Sequence, residues 1–325
     1  MLNIFVAQAH GLARIPVQLP LTIPPAAVWI DLLEPTPDEE RAIEAALSID
    51  VPTREEMKEI ETSNRLYEDN GAIYMTATVA AKLDTDQPVS TAVTFILVGG
   101  RLVTNRYLDT RPFQQFIAYA EKHPAVCHNA IAVLAGLMEA FTERIADVLE
   151  RVGTDLDSIS ASIFVRSGRN RPNSRDLRSL IERIGFNGDL NSRARESLVS
   201  LGRLLMFAQQ SSHVQMSTEQ RNRIRSISGD VTSMSDHTSF QGSKVSFLLE
   251  ATLGLISLEQ NNIIKIFSVA AVLFLPPTLI ASIYGMNFQL LPDLPGTYSN
   301  FMFSLLLMIG SMALTYVFFK RKGWL

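Results

Sequence analysis

Cysteine is nearly missing from this chain of 325 residues: Cys127 stands alone, so no intrachain disulfide framework can form. Charge is missing from the C-terminal end. No charged side chain lies between Lys265 and Asp293, and none between Asp293 and Lys320. Proline is missing between Pro172 and Pro276, so nothing there forces a helix to stop. There is no phosphate-cradling glycine loop, nucleophile elbow or zinc-protease motif, so the chain carries no enzyme signature and calls for no prosthetic group. Met1-Leu2-Asn3-Ile4-Phe5 has neither a basic n-region nor a useful apolar h-region, which predicts no signal peptide.

The residues that are present divide unevenly. Nearly all of the charged side chains lie in the first 260 residues, and the chain as a whole has a net charge of −4. A bilayer span needs roughly 20 mostly apolar residues. Ile263–Tyr284 and Ser299–Phe319 meet that length and are read as two transmembrane helices rather than as buried core helices. The basic tail Lys320-Arg321-Lys322 predicts that both termini stay in the cytoplasm of a bacterial inner-membrane protein. Tyr316 and Trp324 are expected as aromatic anchors at the inner interface.

The fold class expected is an α+β membrane protein. It has an α/β domain at 1–123, a long-helix stalk at 124–262, spans at 263–284 and 299–319, an outer loop at 285–298 and a basic tail at 320–325. Ala27–Ile30, Ala72–Ala81, Val93–Val98 and Arg101–Arg106 read as strands, with Gly99-Gly100 as a tight hairpin turn. Thr36, Pro37 and Glu39 spell a capping box with proline in the first turn. Pro124 is expected to start a helix that runs to about Val165, with a turn at 166–172. A second helix is expected from Ser174 to Ser212, interrupted near Gly185–Gly188. A third starts near Ser217 and continues into the first span; 68 residues at 1.5 Å each give a rod of roughly 100 Å.

Across the membrane boundary runs a heptad stripe: Asn261, Ile264, Ser268, Ala271, Leu275, Thr278, Ser282 and Gly285. It is small and partly polar. Two readings fit it: close helix packing, or a water-accessible pore made by several copies of the helix. A carboxamide at Asn261 favours the pore, because it is a natural ligand for a hydrated cation. Ile266, Phe267, Val272, Phe274 and Leu279 are expected to suit lipid or the second span. Pro276-Pro277 frees carbonyls near Val272 and Leu273. Neither span holds Asp, Glu or His, so proton relays are lacking and passive conduction is favoured.

At Tyr284-Gly285-Met286-Asn287-Phe288 the chain resembles the CorA family of magnesium channels. The likeness extends through Glu259–Val269, Phe274–Ser282 and the tail Phe319–Leu325. The resemblance implies a homopentameric funnel in the lipid bilayer that passes divalent cations, with Mg²⁺ as both transported and regulatory ion and Co²⁺ and Ni²⁺ also admitted. It places Gly285, Met286 and Asn287 in the selectivity filter, Asn261 at the cytoplasmic pore mouth and Thr278 in mid-pore. Ile264, Phe267, Ala271 and Leu275 take the positions of the hydrophobic constriction. Asp293 would ring the outer mouth. This loop reads Leu291-Pro292-Asp293-Leu294 where the family commonly has Met-Pro-Glu-Leu. Asp84, Asp86, Asp230 and Asp236 are the regulatory metal ligands expected between subunits. The alternatives are a proton-coupled zinc transporter of the ZntB type and a membrane-anchored sensor that conducts nothing.

Two further clusters carry less. His123, Cys127 and His128 have helical spacing, but adjacent residues point about 100° apart, so a zinc site is not expected. Arg166, Arg169, Arg171, Arg175, Arg178, Arg183, Arg193 and Arg195 are interspersed with Asp176, Glu182 and Asp189. That pattern favours a solvated or inter-helix face over a nucleic-acid patch, and no nucleic-acid partner is expected.

Overall fold

A computed structural model describes residues 1–16, 21–164, 174–211, 214, 216–285 and 297–323. Its seven strands are β1 (Leu2–Gln8), β2 (Gly11–Ile15), β3 (Ala27–Leu33), β4 (Leu66–Asp69), β5 (Ala72–Ala81), β6 (Val89–Val98) and β7 (Arg101–Arg106). Its helices are α1 (Pro37–Leu47), α2 (Thr62–Arg65), α3 (Arg111–Ala120), α4 (Ala130–Phe164), α5 (Ser174–Gln210), α6 (Thr218–Gly285) and α7 (Thr297–Arg321). The chain forms two units that meet at Leu249 and Glu250 along α6; the second also takes in the start of α5 up to Arg178.

The first unit is built on one mixed sheet of order β2-β1-β3-β7-β6-β5-β4. Only β3 and β7 run parallel. The period-two alternation of strands sorts its apolar side chains. Trp29, Phe95 and Leu102 face the helices, with Phe113 and Phe116 of α3 and Phe141 of α4. Ile30, Ile96 and Val103 face the other way, under Ile43 of α1 and the segment around Ile49 and Val51. α1 starts as its sequence predicts: Glu39 N donates to Thr36 Oγ1 at 3.3 Å, and Thr36 N donates to Glu39 Oε2 at 2.9 Å.

β4 covers only the first residues of β5. Beyond it, serines of α5 satisfy the open edge: Thr78 N donates to Ser200 Oγ at 2.8 Å and Ala80 N to Ser197 Oγ at 3.2 Å. An unpaired edge is a template for strand addition, and the helix removes it.

A buried ion pair links the two parallel strands. Asp31 of β3 is 0% exposed, and Arg106 of β7 is 3% exposed. Arg106 Nε and Nη2 donate to Asp31 Oδ1 and Oδ2 at 2.9 and 2.8 Å. Thr104 Oγ1 donates to Asp31 Oδ1 at 2.7 Å and accepts from Trp29 Nε1 at 3.0 Å. Arg106 Nη1 reaches Asp109 at 2.7 Å, and its guanidinium lies 4.1 Å from the Phe113 ring centroid.

Two expectations are corrected. α4 begins at Ala130, not Pro124; Pro124–Val126 form a short 3₁₀ turn. Asn129 is the better cap, since its Oδ1 accepts from Ala132 N at 2.9 Å. α5 runs unbroken through Gly185–Gly188. There Ile184 is buried, Asn187 donates to Asp155 at 2.6 Å, and Gly188 lets Val245 of α6 approach closely. β1, β2 and β4 also join the sheet without having been read from the sequence.

Candidate functional site

In the second unit α6 carries the stripe and α7 runs beside it. Both helices contain a segment long and apolar enough to cross a membrane, and little of either segment is buried within the chain. Asn261, Ile264, Phe267, Ser268, Ala271, Leu275, Thr278, Ser282 and Gly285 all lie on α6, and all are exposed. From Asn261 onward the shielded residues of α6 lie elsewhere on its circumference: Lys265, Val269, Ala270, Leu273, Pro276, Pro277 and Ile280. α7 shields a matching row, Ser304, Met308, Ser311, Thr315 and Phe319. Lys265 Nζ donates to the Gly323 carbonyl at 3.4 Å, which ties the start of one apolar segment to the end of the other.

This arrangement sharpens the sequence reading. At 100° per residue, the row centred on Val269 lies roughly 140° from the centre of the stripe. The shielded row is therefore separate from the stripe. Ile266, Phe267, Val272, Phe274 and Leu279 are exposed as well, so they do not form the inter-helix contact.

The two prolines stay inside a continuous helix. Having no N–H, they leave the carbonyls of Val272 and Leu273 without their helical donors. Thr278 Oγ1 donates to the carbonyls of Phe274 and Leu275, both at 2.9 Å, so its hydroxyl is held against the helix wall one turn toward the N-terminus. Met286, Asn287 and Asp293, together with Trp324, lie outside the described residues.

The four regulatory candidates do not assemble an ion site within one chain. Among the described residues no group of three acidic, histidine or cysteine side chains could hold a metal. Asp84 is held by guanidinium groups from three directions: Arg144 at 2.6 Å, Arg151 at 2.9 Å and Arg111 at 3.0 Å. The hydrogen bond from Arg144, followed by the charges of Arg144 and Arg151 and the bond from Arg111, outweighs burial and holds the Asp84 carboxyl below its ordinary range. Any cation at Asp84 would have to displace arginine. Asp86, Asp230 and Asp236 are exposed. Asp230 and Asp236 sit six positions apart on α6, about 120° around the helix, so they point to different neighbours.

The remaining clusters resolve as structure. Cys127 is buried, and burial pushes its thiol up. His123 Nδ1 lies 2.8 Å from the Tyr119 carbonyl and His128 Nδ1 2.9 Å from that of Ala125, so each ring has a separate backbone partner. Of the arginines, Arg183 pairs with Asp155 and Arg193 with Asp189.

A mixed-sheet α/β unit followed by two apolar helices, the first bearing an unpartnered small and polar stripe, defines a two-span membrane protein. The family model for the CorA-like Mg²⁺ transporter protein matches residues 25–321, and the chain belongs to that family. It is 33% identical over 329 residues to the magnesium transport protein CorA of Pasteurella multocida, covering 100% of both chains. It is 34% identical over 300 residues to the protein of the same name from Pectobacterium atrosepticum, covering 92% of each. Its fold matches the complete structure of the CorA magnesium transporter from Methanocaldococcus jannaschii with a TM-score of 0.76 at 17% identity, covering 100% of this chain and 99% of that one.

Proposed function

We propose that this chain is a subunit of a homopentameric channel that admits Mg²⁺, and also Co²⁺ and Ni²⁺, across a bacterial inner membrane. Both termini then lie in the cytoplasm. The domain scheme is 1–123, 124–262, 263–284, 285–298, 299–319 and 320–325. The reading draws on relatives named for magnesium transport that match along the whole chain. The observation that carries it is the exposed stripe on α6. A single chain leaves Ser268, Thr278 and Ser282 uncovered within the apolar segment and Asn261 uncovered just before it, while the shielded residues lie on a different row. Polar groups in a bilayer face a bundle interior or water rather than lipid. Copies of α6 around an axis satisfy them by enclosing water.

In this arrangement Gly285, Met286 and Asn287 form the filter, and Asp293 raises the cation concentration outside it. Mg²⁺ sheds its waters reluctantly. A ring of neutral amide oxygens from Asn287 takes the hydrated ion by hydrogen bonds to its water shell. Carboxylates there would hold it more tightly and slow its release. Ile264, Phe267, Ala271 and Leu275 supply the apolar constriction. Each charge entering a negative interior gains about 2.3 kcal/mol per 100 mV, so no proton carrier is needed. No step of this process is an enzymatic reaction. Regulation by Mg²⁺ would use carboxylates from two subunits, with Asp230, Asp236 and Asp86 available and Asp84 reached only by opening its arginine contacts.

The test is uptake of Mg²⁺, Co²⁺ and Zn²⁺ into vesicles, with and without a pH gradient, for the wild type and Asn287→Ala. The expected result is Mg²⁺ uptake that needs no pH gradient and is lost in the variant. Gradient-driven zinc uptake without Mg²⁺ flux would replace this reading with a proton-coupled zinc transporter. No flux of any metal would replace it with a sensor.

A further inference from the structure

Resting on the channel reading for its sidedness, we propose that the base of the two-helix hairpin binds the phosphate headgroups of anionic phospholipids in the cytoplasmic leaflet. Four cations gather there. Lys265 of α6 reaches the Gly323 carbonyl at 3.4 Å, and so lies at the level where α7 ends in Lys320 and Arg321, followed by Lys322. The turn that holds them is well defined. Lys322 N donates to the Phe318 carbonyl at 3.1 Å, and Gly323 N to the Lys320 carbonyl at 3.2 Å. Gly323 takes φ +68°, a left-handed conformation that glycine adopts without strain and that stops the helix there.

The cations are directed at the membrane edge. Lys320 Nζ lies 5.9 Å from the Tyr316 ring centroid, and Lys322 Nζ 5.7 Å from that of Phe318. Both ammonium groups therefore fold back over aromatic rings at the rim of the apolar segment, the depth at which lipid phosphates lie. Between Lys265 and Gly323 the sequence holds one carboxylate, Asp293, which the channel reading places at the far side of the bilayer.

The C-terminal dipole of α7 favours cations in its last turn. Four at one level still repel one another, and lipid phosphates gathered at that level relieve the repulsion. The exposed apolar side chains of Val317 and Phe318 continue directly from the cations, which gives acyl chains a surface that a soluble phosphate would not use. The chemistry therefore favours a lipid over a free anion. Because Lys265 belongs to the helix that carries the stripe, lipid charge would steady the foot of that helix against its neighbour.

The experiment uses the full chain in phosphatidylcholine nanodiscs with spin-labelled phosphatidylglycerol or spin-labelled phosphatidylcholine, and reads the motionally restricted fraction of each. The wild type is expected to prefer phosphatidylglycerol. Removing one cation, as in Arg321→Gln, should lower that preference about fivefold, and Lys265→Gln should lower it similarly. Lys320→Arg with Lys322→Arg keeps the charge and should keep the preference, which separates lost binding from lost folding. Equal preference in the wild type and in Lys320→Gln/Arg321→Gln/Lys322→Gln would overturn the proposal. So would loss of the wild-type preference on adding glycerol phosphate, which would indicate a soluble-anion site. Lipid preference with no ion flux would refute the channel reading and leave this site standing.

Discussion

The buried pair between β3 and β7 offers a measurement whose size follows from its geometry. Replacing Asp31 with Asn keeps the shape and removes the charge. Arg106 then remains buried beside Phe113, with Asp109 as its remaining carboxylate. Removing one partner of a buried ion pair costs about 3–5 kcal/mol, mostly because the other charge is left uncompensated. Asp109 is 43% exposed and holds its guanidinium nitrogen at 2.7 Å, which points to the lower end, about 3 kcal/mol. For a unit of this size that corresponds to a fall in Tm of about 6–12 °C. Trp29 reports the event directly, since its indole N–H bonds Thr104, which in turn bonds Asp31. In a Trp324→Phe background Trp29 is the single tryptophan, so its fluorescence during thermal unfolding of the reconstituted chain follows this network alone. Asp31→Asn combined with Arg106→Met removes both charges and should recover part of the loss. A fall of less than about 1 kcal/mol for Asp31→Asn, or a double variant worse than the sum of the two singles, would refute the reasoning.

Two glycines should respond to alanine with opposite signs. A Cβ at Gly136 would sit 2.2 Å from Cε2 of Phe116, which is itself packed against Trp29. Gly136→Ala should lower stability by about 1–2 kcal/mol after its gain in helix propensity, whereas Gly229→Ala, with nothing near, should raise it by about 0.5–1 kcal/mol. Thermal unfolding reads both. Asp84, whose pKa is depressed in the folded chain, contributes stability that is present above its unfolded pKa of about 4 and is lost as pH falls through the folded value. Melting curves of wild type and Asp84→Asn should differ by about 1 kcal/mol near neutral pH, a figure reduced because the carboxylate is 44% exposed, and should converge in acid. If Mg²⁺ closes the channel through carboxylates shared between subunits, Asp230→Asn with Asp236→Asn should weaken Mg²⁺ inhibition of currents; unchanged inhibition would remove both residues from that role.

What could be read from the sequence was local. Thr36 and Glu39 announce a helix start within four residues, and Gly99-Gly100 announces a hairpin within two. Ala72–Ala81 and Arg101–Arg106 kept their bounds because alternation and turn residues lie in the same short window. The missing parts depend on partners far away in the chain. Asp84 carries no sign of Arg144 and Arg151, which lie 60 and 67 positions on. β1 is buried along most of its length, so it lacks the polar alternation that marks a half-exposed strand. Within the apolar segment of α6 nearly every residue is hydrophobic or small. Composition therefore could not show that Val269, Leu273 and Ile280 are shielded while Ala271 and Leu275 are exposed.

The paired prolines of α6 have a mechanical meaning. A helix is stiff because each rung of hydrogen bonds resists bending, and here two consecutive rungs are absent at one height. Compliance is therefore concentrated at the level of Val272 and Leu273, about three turns below Gly285 and two above Lys265. The segment that ends at Gly285 can therefore tilt relative to the segment that holds Lys265 without sliding along it.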